Sequence, residues 1–114
     1  MPDYSLNQFL ASAGTPPLDI EICDVTLRDG EQMPGVVFRA DEKLDIALRL
    51  DEIGVEVIEA GFPVVSPAEM NAVREVCNLG LDARISALSR SVKKDVDAAL
   101  QCGVDMISVF IATS

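Results

Sequence analysis

Three glycines set the frame of this sequence. Gly54-Val55-Glu56, Gly80-Leu81-Asp82 and Gly103-Val104-Asp105 share one form: glycine, aliphatic, acid, then a run of β-forming residues. The glycines recur 26 and then 23 residues apart. A glycine just past a helix takes the left-handed backbone that closes it. The spacing suits one helix plus one strand per unit rather than a pair of helices. Three such transitions in phase predict repeated βα units and a parallel sheet, an α/β fold.

The elements between the glycines agree. Ile20–Thr26, Val55–Ala60, Ala83–Leu88 and Val104–Ile111 are short and rich in Val and Ile, as strands buried on both faces are. Asp41–Ile53, Pro67–Leu79 and Val92–Cys102 carry apolar residues at helical spacing, with charges mostly on the opposite side. Ser66-Pro67-Ala68-Glu69 has the form of a capped helix start closed by a capping box. Ser91 is the expected cap of the third helix, and Asp41 of the first, where Arg39 stands in place of a Ser or Thr. Residues 1–19 read as a lead segment, with a short helix over 6–13 ended by Pro16-Pro17.

Composition narrows the chemistry. The 114 residues are one domain by length, and the count of 9 basic against 19 acidic side chains gives a net charge of −10 with no histidine. Such a field repels a polyanion, so nucleic acid is not an expected partner. An anionic membrane surface is disfavoured too, and no apolar stretch approaches the ~20 residues that span a bilayer. Without histidine there is no Ser-His-Asp triad and no His-based zinc site. Cys23, Cys77 and Cys102 are odd in number, far apart and set in apolar runs. They read as buried thiols in a reduced, cytoplasmic setting, and the N-terminus lacks the form of a secretory signal.

The polar residues that stand out follow apolar strands directly. Asp24-Val25-Thr26-Leu27-Arg28-Asp29-Gly30-Glu31-Gln32 ends the first strand and runs into Met33-Pro34-Gly35. In parallel α/β folds ligands bind at the carboxyl ends of the strands, where Arg28 and Asp29 fall. An isolated Arg-Asp-Gly is equally a tight turn. Glu59, near the end of the second strand, needs a cationic partner in a buried setting. Neighbouring strands lie about 4.8 Å apart, so Arg28 is within its reach. Glu56 reads as a solvent-facing acid at the start of that strand. Arg90, after the third strand, is either a solvated loop residue or an anion binder. Lys93-Lys94 reads as an exposed helix start, and Thr113 and Ser114 offer hydroxyls after the fourth strand.

The Asp24-x-Thr26-Leu27-Arg28-Asp29-Gly30-Glu31-Gln32 motif, followed by Ile58-Glu59-Ala60-Gly61-Phe62-Pro63, resembles the 2-isopropylmalate synthase/homocitrate synthase group. Its wider relatives include 3-hydroxy-3-methylglutaryl-CoA lyase. Phe62-Pro63-Val64-Val65-Ser66 and Phe110-Ile111-Ala112-Thr113-Ser114 look most like archaeal homocitrate synthases. The resemblance implies a metal-dependent TIM barrel, of which residues 20–114 are the N-terminal half: four parallel strands and three intervening helices in a partial pyruvate carboxyltransferase-like domain. It implies acyl transfer from acetyl-CoA to a 2-oxo acid, with 2-oxoglutarate favoured and 2-isopropylmalate or citramalate synthesis as alternatives.

By the same resemblance Asp29 is a ligand of a divalent ion (Mn²⁺, Mg²⁺ or Zn²⁺). Arg28 binds the 2-oxo acid and polarises its carbonyl. Gln32 lies beside the metal and its water, and Glu59 holds or works with Arg28. The family's other metal ligands are a His-x-His pair on a late strand, which this sequence lacks. The expectation is therefore a homodimeric full-length parent that carries the activity and a 114-residue segment without turnover of its own. The rival reading is a non-catalytic half-barrel.

Overall fold

The computed structural model describes residues 21–29 and 38–111. The lead segment, Gln32, Thr113 and Ser114 lie outside the described residues. In chain order the elements are β1 (Cys23–Asp24), a helical turn α1 (Thr26–Asp29), α2 (Ala40–Glu52), β2 (Val57–Gly61), a 3₁₀ turn (Pro63–Val65), α3 (Pro67–Cys77), β3 (Arg84–Arg90), α4 (Lys93–Gln101) and β4 (Met106–Phe110). The four strands form one parallel sheet in the order β1-β2-β3-β4.

That order fixes where the core lies. Right-handed crossovers between sequential parallel strands put every helix on the same face of the sheet. Ala47 of α2, Val73 and Val76 of α3 and Ala99 of α4 accordingly meet Ile58 and Ala60 of β2 and Ile85 and Ala87 of β3 in one apolar cluster. The opposite face carries Glu59 and Ser86, paired in register across β2 and β3. An α/β sheet of sequential parallel strands with helices on one side is the N-terminal half of a (β/α)₈ barrel.

The glycines act as the repeat predicts. Gly54, Gly80 and Gly103 have φ of +89°, +69° and +82°. At the end of α2 the Gly54 N–H donates to Asp51 O at 3.1 Å and the Val55 N–H to Leu50 O at 3.2 Å. These two bonds define the motif that lets a helix stop without orphaned carbonyls.

Several local expectations are corrected. β1 stops at Asp24 instead of running to Thr26, because Asp24 Oδ1 accepts the Thr26 N–H at 2.8 Å and starts a helical turn. Burial on both faces holds for β2 along its whole length but not for β4, an edge strand whose Val109 and Phe110 are exposed. The residue flanking α4 is Val92, with no side-chain cap, so Ser91 does not serve. α2 begins at Ala40, flanked by Arg39, whose N–H donates to Glu42 Oε1 at 3.0 Å; the expected cap Asp41 is already helical. Cys23 is exposed and Cys77 half-buried, leaving Cys102 as the buried thiol.

The acid of the repeat also proves more than a surface group. Glu56 Oε2 accepts the Ile22 N–H at 2.8 Å, joining the starts of β1 and β2; it is half-buried rather than solvent-facing. Asp105 Oδ2 accepts the Ile85 N–H at 2.8 Å and joins β3 to β4. For Ala83, at the start of β3, the acceptor is Asp51 Oδ1 at the end of α2, at 2.8 Å, and Asp82 is left exposed. Replacing Asp105 with Ala therefore costs about 1–3 kcal/mol, since the Ile85 N–H loses a charged acceptor. Asp82→Ala stays within about 0.5 kcal/mol. Urea unfolding midpoints of the two variants check the contrast.

Candidate active site

The site begins with the turn after β1. Val25 O accepts the N–H groups of Arg28 and Asp29, at 3.1 and 2.7 Å, and closes a single helical turn. Leu27, fully buried, anchors this turn in the apolar cluster. With Leu27 fixed inward, Arg28 and Asp29 project from the carboxyl end of β1.

Arg28 is gripped from two sides. Its Nε donates to Glu59 Oε2 at 2.9 Å, and its Nη1 to Asp29 Oδ1 at 3.1 Å. The side chains of Glu59, Arg28 and Asp29 are 4%, 20% and 63% exposed, so the trio grades from core to solvent. Charge-assisted bonds of this kind hold a guanidinium in one orientation. The expected pairing of Arg28 with Glu59 is thus present, and Asp29 joins it.

β2 is shaped around Glu59. The register with β3 runs Glu59↔Ser86 and then Gly61↔Ala87, so one residue of β2 is extra. Such a bulge re-aims the side chains beside it. Beyond it, Gly61 turns toward α3. A Cβ there would stand 2.8 Å from Val73 Cγ2 and 3.1 Å from Glu69 Cδ, so the site tolerates only glycine without rearrangement.

Glu69 belongs to a second ion pair that sequence reasoning did not single out. Lys43 Nζ donates to Glu69 Oε1 at 2.5 Å, tying α2 to α3, with Lys43 only 3% exposed. The Ser66 cap is in place, its Oγ accepting the Glu69 N–H at 3.1 Å, but the Glu69 carboxylate is committed to Lys43 instead of closing the expected box. The available signal was Lys43 itself, one helical turn before Ala47 on the apolar stripe of α2. A cavity of about 450 Å³ lies beside this pair, lined by Arg28, Lys43, Phe62, Ser66 and Glu69 among others.

Arg90 is not a solvated loop residue: it is the last residue of β3, and its side chain is bound to Asp95. Its Nε and Nη2 donate to Asp95 Oδ2 and Oδ1 at 2.8 and 2.9 Å, and its N–H donates to Oδ2 at 3.0 Å. These bonds staple the end of β3 to the first turn of α4. The Arg90 side chain holds the Asp95 carboxyl below the usual carboxylate range. Partial desolvation, with help from the Glu59 and Asp24 charges, raises the Cys23 thiol; burial pushes Cys77 up to about 11. Lys93 is the exposed helix start expected of it, paired with Asp97 at 2.8 Å.

Asp29 presents one exposed carboxylate at this site. Among the described residues no three His, Cys, Asp or Glu side chains gather in a way that could hold a metal ion. The described residues therefore supply one candidate ligand and not a set. No described helix is long and apolar enough to cross a membrane.

Charged side chains collected at the carboxyl ends of parallel strands, on a half-barrel, define the kind of site that barrel enzymes use. Comparison with known proteins agrees: residues 19–114 match the HMGL-like family, and the chain belongs to it. It is 61% identical over 111 residues to a homocitrate synthase AksA of Methanosarcina acetivorans, covering 97% of this chain and 27% of that relative. It is 58% identical over 98 residues to a 2-isopropylmalate synthase of Methanocaldococcus jannaschii, covering 86% of this chain and 19% of that relative. A homocitrate synthase AksA of the same organism is 57% identical over 96 residues, covering 84% of this chain and 24% of that relative. The chain thus spans about a quarter or less of the length of these relatives.

Two outcomes test the geometry. Gly61→Ala destabilises by about 1–3 kcal/mol, because the new methyl overpacks against Val73 and Glu69; denaturant midpoints measure it. A carboxyl whose folded pKa is depressed contributes stability that is present above the ordinary carboxylate range and is lost as pH falls through its folded value. Asp95→Asn therefore flattens the acid limb of the stability–pH curve while lowering stability near neutral pH.

Proposed function

We propose that this chain is the N-terminal part of an acyltransferase that condenses acetyl-CoA with a 2-oxo acid, homocitrate synthase-like with 2-oxoglutarate as acceptor. The observation that carries the reading is Arg28, held between Glu59 and Asp29 at the carboxyl end of the parallel sheet. The motif around it and the 61% identity to a homocitrate synthase support it. The 58% identity to a 2-isopropylmalate synthase supports a branched 2-oxo acid as the alternative acceptor.

In this reading Arg28 is the catalytic residue that meets the 2-oxo acid. A guanidinium fixed by two carboxylates is aimed before substrate arrives, so it loses little order on binding. As the enolate of acetyl-CoA attacks the keto carbon, the carbonyl oxygen becomes an alkoxide, and Arg28 is the donor that stabilises it. Glu59 is the positioning acid: its bond to Nε fixes the plane of the guanidinium. Gln32, outside the described residues, keeps by resemblance alone the substrate-binding role expected of it. Hydrolysis of the thioester then makes the condensation irreversible.

A divalent cation would add Lewis-acid polarisation of the same carbonyl, with Asp29 as one of its ligands. The described residues do not complete such a site. The cavity beside Arg28 and Lys43 adjoins the guanidinium and is a candidate place for substrate.

The decisive assay is CoA release from acetyl-CoA with a panel of 2-oxo acids in the full-length enzyme. Arg28→Ala is expected to lower kcat by about 10²–10³ if it stabilises the oxyanion. Near-normal kcat in that variant sinks the assignment. The 114-residue segment alone is expected to show no turnover.

A further inference from the structure

Ser86 poses a question that the fold leaves open. It is 1% exposed, in the middle of β3, and its Oγ meets no hydrogen-bond partner among the described residues. Buried hydroxyls in native interiors are paired with protein or with an ordered water. Ser89, on the same strand, shows the ordinary solution: its Oγ donates to Arg90 O at 2.7 Å. Ser86 has no such outlet.

Its place in the sheet says what it faces. Ile85 and Ala87, on either side, point into the apolar cluster beneath the helices, so Ser86 points to the opposite face. There its register partner on β2 is Glu59, the acid that holds Arg28. Cys23 stands on β1 in register with Val57, on the face that Glu59 shares. A hydroxyl and a carboxylate thus share one buried spot on that face, with the exposed Cys23 at its margin. The hydroxyl and carboxylate make no direct bond.

We propose that one buried water bridges Ser86 Oγ and the Glu59 carboxylate, and that Ser86 is thereby a positioning residue for Arg28. The water accepts from or donates to Ser86 and donates to Glu59, which supplies the polar partners an internal water requires. Glu59 is then held at two points, by Arg28 Nε and by the water. A carboxylate held at Arg28 alone has more freedom to turn, and the Nε side of the guanidinium is less firmly aimed. The water site stands on the orphaned hydroxyl alone, whereas the effect on turnover rests on the function proposed above.

Two measurements on the full-length enzyme test this. A high-resolution crystal structure is expected to show a water about 3 Å from both Ser86 Oγ and a Glu59 carboxylate oxygen. Kinetics with acetyl-CoA and the 2-oxo acid are expected to show kcat falling about tenfold in Ser86→Ala, since small misplacements of a catalytic group are costly. The KM for the 2-oxo acid stays within about twofold, because the alkoxide forms only in the transition state. Ser86→Cys, which keeps a weak donor in similar volume, falls between Ala and the parent.

No water at that position overturns the site. Unchanged kcat in Ser86→Ala, above all with a raised melting temperature, marks the hydroxyl as an orphan without a role and overturns the positioning. Equal losses in kcat and KM with lowered stability, or a Cys variant no better than Ala, also overturn it. Failure of the enzyme reading itself looks different: Arg28→Ala then keeps its kcat whether or not the water is present.

Discussion

A carboxylate in a strand buried along its whole length must have a cation, and for Glu59 that cation is Arg28. The bond joins the first two βα units at the top of the sheet. The helical turn after Asp24, started by the Asp24 Oδ1–Thr26 N–H bond, presents Arg28 to its partner. The bulge in β2 separates the side chain that must face Arg28 from the glycine that must admit α3. Breaking one partner of such a pair leaves a charge stranded in the core, which costs more than the pair contributes when whole.

Much of this was legible in the sequence. The three glycines, the order of strands and helices, the Ser66 cap and the Arg28–Glu59 pair follow from local chemistry and spacing. Local rules read well where one residue decides the outcome, as glycine does at positive φ. They failed where a side chain had two possible partners. Glu69 could close a box on Ser66 or pair with Lys43, and only the packing of α2 on α3 decides for Lys43. Arg90 could be solvated or bound, and Asp95, five residues on, had to be seen folded back on it. Cys23 sits in an apolar run, yet a two-residue edge strand cannot bury it. The Ser86 site has no motif at all; it exists because two strands share a register.

The charged residues fall into two sets with different tasks. At the top, Glu59, Arg28 and Asp29 grade from buried to exposed. Beside them Lys43–Glu69 and Arg90–Asp95 fasten helices to one another and to the sheet. These fasteners use the same chemistry as the site but spend it internally.

At the opposite end, Glu56, Asp51 and Asp105 take up the N–H groups with which β1, β3 and their neighbours begin. The sheet is therefore tied from below, by side chains remote from the chemistry. Loops above can be lengthened, shortened or re-aimed without loosening the strands that carry them. A scaffold of this kind can change what its loops hold without refolding the sheet. Relatives bearing the names homocitrate synthase and 2-isopropylmalate synthase, nearly equidistant from this chain, are what such a separation of anchorage from selectivity would produce.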